Sequence, residues 1–256
     1  MTYLAALRAK RTVLIVMIVL TVLAAIATYF VVRAELRVHT WTQHSPWPFS
    51  ALLAGTGVIA VIVATILGSA LDGVSRAPAL AFTRPEPRAL SALRIYAVDA
   101  VAVLAVWAAG VVLAVIGAVI TRTFWVTFGA DIAGVLFLFC AVSLMWYALI
   151  TLTAVFFPGR GGAISGASWA IALILPGLAA IGFPQPVHGL LQALLYLDPM
   201  AYLQGHAGVD LGSSPKQSPI DLLFTTAPAR AAVAGAIGVV ALALATRFWT
   251  TREVSA

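Results

Sequence analysis

Long apolar runs separated by short polar intervals set the pattern of this chain. The runs lie at about Thr12–Val32, Ser50–Leu71, Ile95–Thr121, Asp131–Phe157, Gly161–Phe183 and Ala229–Trp249. Wound as a helix at about 1.5 Å per residue, each is long enough to cross a hydrocarbon core about 30 Å thick. The pattern predicts an all-α integral membrane protein with six transmembrane helices, forming one membrane domain over residues 1–256. A seventh apolar stretch, Val187–Leu197, is too short to cross. It reads as re-entrant or interfacial: His188, Gln192 and Tyr196 follow at i, i+4 and i+8, opposite Leu190, Leu191, Leu194 and Leu195. Asp198-Pro199 ends it.

The intervals carry their own signals. Met1–Lys10 places Tyr3, Leu4 and Leu7 on one helical face and ends in basic residues, as an interfacial elbow helix would. Arg33–Phe49, with Trp41, Trp47 and two prolines, suits an outer loop with aromatic anchors. Asp72–Arg94 is the most charged interval; Pro85 and Pro87 interrupt a helix there, and Arg88–Arg94 can restart one directly into the third run. Pro158-Gly159-Arg160 is a turn so tight that the fourth and fifth runs must be antiparallel neighbours. Gly162, Gly166 and Ala170, and again Ala231 and Gly235, have the small-residue spacing that lets helices approach closely, within one chain or between two.

Composition strengthens the membrane reading. Hydrophobic residues make up 62% and charged residues 9% of the chain, with a mean hydropathy of +1.04, which is too little polar surface to coat a water-soluble globule. The net charge of +6 has no continuous basic stripe behind it, so nucleic acid is not the implied partner. The charge reports orientation instead. With both termini cytoplasmic, ten basic residues lie inside and five outside, in agreement with the positive-inside rule. The single Cys140 excludes an intramolecular disulfide.

Candidate chemistry is sparse. The only lysines, Lys10 and Lys216, follow Ala9 and Pro215, so no P-loop exists and the chain is not expected to hydrolyse ATP. Ser165 is not in a G-x-S-x-G elbow, no H-E-x-x-H occurs, and no metal site is expected. Asp99 is the one acid well inside a run; it needs a partner there, such as Arg94, Arg76 or a backbone amide. In the fourth run Cys140, Ser143, Tyr147 and Thr151 fall on one helical face, with Trp146 beside them. That polar stripe suits a translocation route or a helix–helix contact equally.

The layout resembles the membrane permease subunit of type-2 ATP-binding-cassette exporters. The resemblance rests on the six runs, on the interval from Leu71-Asp72-Gly73 through Pro85-Glu86-Pro87-Arg88 to Arg94, on Leu197-Asp198-Pro199, and on the finish Arg247-Phe248-Trp249 through Glu253. It implies a cytoplasmic coupling helix between the second and third spans, with Asp72, Arg76, Arg84, Glu86 and Arg88 contacting the ATPase. It also implies re-entrant helices before the sixth span, with the His188, Gln192 and Tyr196 face near the outer exit. Two ATPase subunits carrying ATP and Mg would bind beneath a pair of permease chains, identical or related, in a bacterial cytoplasmic membrane. Scarcity of buried charge points to a lipid-like or amphiphilic substrate, drugs and antibiotics included. The alternative is a non-transporting scaffold or sensor. A secondary transporter is a third reading, for which Pro176 offers the one mid-span break.

Overall fold

The computed structural model describes residues 10–12, 14–19, 22, 47–70, 87–120, 130–181, 183–203 and 226–251. These are helical nearly throughout, and no strand occurs among them. Seven helices follow in order: α1 Trp47–Ser69, α2 Arg88–Ile120, α3 Ala130–Phe156, α4 Gly161–Ala180, α5 Val187–Leu194, α6 Pro199–Leu203 and α7 Ala227–Thr251, with a 3-10 turn, Leu195–Leu197, between α5 and α6. Residues 10–12, 14–19 and 22 are also helical.

Among the described residues, four helices are long and apolar enough to cross a membrane, over Ala89–Ile116, Ala133–Phe156, Gly161–Ala179 and Ala227–Thr251. The chain is a membrane protein on that ground. In α1, 23 residues long, the described apolar part runs Gly55–Ser69. Residues 1–9 of the elbow expected over Met1–Lys10, and Asp72, Arg76, Arg84 and Glu86 of the coupling interval, lie outside the described residues.

α3 is the hub, packing most extensively on α7, then on α1, and also on α2, α4 and α6. Glycines decide how close its neighbours come. A Cβ on Gly57 would meet the Phe139 ring at 3.1 Å, and one on Gly68 would meet Ile150 at 2.9 Å. One on Gly238 would stand 3.2 Å from the Cα of Met145. These pairs also fix direction. Rising numbers in α1 (57, 68) face rising numbers in α3 (139, 150), so the two run parallel. Gly134 against Ala227 and Pro228, then Gly238 against Met145, make α7 parallel to α3 as well. α2 runs the other way: Gly110 faces Thr56 near one end, and Asp99 meets Tyr147 toward the other.

α2 is 33 residues long, about 50 Å, well beyond the core thickness. It starts directly after Pro87, whose carbonyl accepts from the amides of Leu90 and Ser91. Between α3 and α4 the chain reverses through residues 157–160. Gly159 sits at φ +80°, a left-handed conformation that side chains avoid, and Arg160 O accepts from Ile164 N to open α4. α4 leaves Ile171, Leu173, Ile174 and Leu178 exposed, the surface that lipid covers in a membrane helix. Pro176 stands inside α4 and the helix runs on to Ala180.

Candidate functional site

Three residue groups carry the sequence-based expectations, and the structure describes two of them. Of the coupling group only Arg88 falls within a described element, as the first residue of α2.

The stripe on α3 lies inside the chain's own helix packing. Ser143, Tyr147 and Thr151 are buried, with Thr151 at 0% exposure, while Cys140 is half-buried. Ser143 Oγ donates to Phe139 O at 2.8 Å, so its hydroxyl is used within its own helix. Tyr147 OH donates to Asp99 Oδ2 at 3.0 Å, joining α3 to α2. The neighbouring Trp146 points about 100° away round the helix and donates from Nε1 to Thr65 Oγ1 of α1 at 2.8 Å; Thr65 Oγ1 in turn donates to Val61 O at 2.9 Å. Met145 meets α7 at Gly238. Three consecutive residues of α3 therefore contact three different helices at one level. Sequence reasoning singled out Asp99, Trp146 and Tyr147 but not Thr65, whose position among small and β-branched residues of α1 carries no distinguishing signal.

The outer group occupies the segment after α4. α5 folds back on the end of α4: Gln192 Nε2 donates to Ala179 O at 3.4 Å and stands 3.5 Å from His188 Nε2. His188 and Gln192 thus come together against α4, while Val187, Leu190 and Leu194 face outward. Tyr196 lies on the 3-10 turn, and its carbonyl accepts from Tyr202 OH at 3.0 Å. Asp198 begins α6 as its cap, with Oδ1 accepting from Met200 N at 2.9 Å and Pro199 as the first helical residue. Met200, Ala201 and Tyr202 are buried against the core. Burial pushes the Asp198 carboxyl up to about 7, against the pull of the amides of Met200 and Ala201. The Tyr202 phenol is pushed well above its ordinary value, by burial first and by Tyr196 second.

No cluster of three or more metal-ligating side chains occurs among the described residues. No family model, curated protein or solved structure matches the chain. Function must therefore be argued from the helices and their polar contacts.

Proposed function

We propose that this chain is the membrane permease subunit of an ATP-driven exporter, carrying a lipid-like or amphiphilic substrate out of the cell. One observation supports this reading best. α2 rises directly from the charged, proline-broken interval that ends at Pro87, and continues unbroken for 33 residues into the hub, where Asp99 is bonded to Tyr147. A stiff helix of that kind transmits force along its axis. Movement imposed on residues 72–88 by ATPase subunits would reach α3 with little loss. The basic side chains of Arg76, Arg84 and Arg88 would dock on the ATPase, which supplies ATP and Mg, and two permease chains would enclose the route.

Ser143, Trp146, Tyr147 and Thr151 are buried within one chain, so a route would run along other faces, such as the open surface of α4 between two copies. The same burial favours the second reading, a scaffold or sensor whose polar contacts only hold helices together.

Gentle extraction of the tagged chain followed by mass spectrometry distinguishes the two. A soluble protein with a P-loop should co-purify in stoichiometric amount, and Arg84→Glu with Arg88→Glu should abolish its recovery while leaving the permease folded. Recovery of the chain without any ATPase would favour the scaffold.

A further inference from the structure

The segment that follows α4 is held to the hub at one place. From Phe183 to Leu197 its side chains are exposed or half-buried, Leu195 excepted, whereas Asp198, Pro199, Met200, Ala201 and Tyr202 are all buried. α6 carries that burial, packing on α3, α4 and α1. The 3-10 turn moves with it as one unit, because Asp198 N donates to Leu195 O at 3.1 Å and Tyr202 OH donates to Tyr196 O at 3.0 Å.

A carboxyl group stands at the joint of this anchor. Asp198 is 3% exposed and receives the backbone amides of Met200 and Ala201. Neutral amides compensate a buried charge only in part, and a carboxylate out of water calls for a cation as well. None of the elements around it supplies one. α1 and α4 contain no titratable side chain, and Arg160 stands at the start of α4, whereas α5 folds back on its other end at Ala179. α3 contributes Asp131, Cys140 and Tyr147, the last already given to Asp99. The turn adds Tyr196 and α6 adds Tyr202, whose phenol burial holds in its neutral form; α5 adds His188, beside Gln192. No lysine or arginine occurs in any of these elements.

We infer that Asp198 is a proton-operated latch: with the proton bound, residues 195–203 stay docked on α3, α4 and α1, and loss of the proton releases them. The direction follows from the two environments. Docked, the carboxyl keeps its proton up to about 7; released into water, it returns to the ordinary 3.8. Docking therefore weakens about tenfold for each pH unit gained across that interval and changes no further above it. The latch is local, since α3 and α7 pack on one another without α6, and it requires neither an ATPase nor transport.

Hydrogen–deuterium exchange of the full chain in lipid nanodiscs tests it, read on peptides covering 195–203 and corrected for the intrinsic pH dependence of amide exchange. Protection in the wild type should fall about tenfold per unit between about pH 5 and 7 and then level off, while peptides of α3 and α7 stay protected throughout. Asp198→Asn, which keeps an acceptor for the cap without a charge, should hold its protection constant across the range; Asp198→Ser serves the same purpose if the amide variant fails to assemble. His188→Gln should retain the wild-type profile. Infrared spectra of the wild type should contain a protonated-carboxyl band that disappears as pH rises through about 7 and is missing from the variant. Parallel profiles in wild type and Asp198→Asn, protection that rises with pH, loss of protection in α3 and α7 at the same pH, or the lack of that infrared band would overturn the proposal.

Discussion

Asp198 serves two demands that conflict. Its Oδ1 must accept a hydrogen bond to cap α6, which favours the carboxylate, while the packing of α6 against α3, α4 and α1 removes it from water, which favours the acid. Burial wins, and the folded carboxyl sits at about 7 instead of 3.8. The folded state therefore holds the proton more firmly than the unfolded one. The stabilising contribution of that proton is complete below about pH 4 and is lost as pH rises through about 7. Thermal melts of the wild type should show falling stability across that window, and Asp198→Asn, which keeps an acceptor for the cap, should flatten the slope. An unchanged slope in the variant would assign the dependence to another group. The sequence reading takes Asp198-Pro199 as the end of the preceding helix and not as the cap of a following one, although Asp before Pro also marks a helix start. Neither does the sequence disclose its burial, because five residues of α6 give no sign of which longer helices they will rest on. Tyr147 teaches the same lesson: its place on a polar face follows from spacing, but its partner lies 48 residues away and depends on the relative height of two antiparallel helices.

Helices were the most readable level of this chain, because the need to satisfy every backbone amide in lipid leaves an apolar run few other choices. Each of the four candidate spans overlaps a run seen in the sequence: Ala133–Phe156 and Gly161–Ala179 lie within theirs, whereas Ala89–Ile116 starts before Ile95 and Ala227–Thr251 extends past both ends of Ala229–Trp249. What the runs did not disclose is which small residues meet a neighbour. Gly162 and Gly166, with the most recognisable motif spacing, have open space where a Cβ would stand, whereas the less conspicuous Gly238 lies against the backbone of Met145. The two kinds should respond differently to enlargement. Gly238→Val forces α7 away from α3, and overpacking of that kind costs roughly 1–3 kcal/mol; the Tm of the purified chain should fall by about 5 °C. Gly166→Val within the isolated chain should move Tm by no more than about 1 °C, since nothing resists the added methyls. If Gly166→Val instead breaks a dimer seen by cross-linking in membranes, that face holds a second copy.

The described helices are ranged about a hub: α1 and α7 parallel to α3, α2 antiparallel, and the short α6 packed against α3, α4 and α1. Removing the last helix should therefore harm the middle of the chain. A chain ending at residue 225 leaves the side of α3 that receives Gly238 uncovered. In pulse-chase experiments it should be degraded several-fold faster than the full chain, and co-expression of the missing segment as a separate insert should slow its loss. Equal lifetimes would show that α3 holds α1 and α2 without help from α7. The junction at Met145, Trp146 and Tyr147 also sets a timetable for biogenesis. The chain is made from its N-terminus, so α1 and α2 are synthesised before their common anchor has been translated. During that interval Thr65 and Asp99 await the indole and the phenol that α3 will bring. The arrival of one turn of helix converts two loosely associated helices into a fixed assembly, so a ribosome pause just before residue 145 would prolong the period in which quality-control proteases can seize the nascent protein.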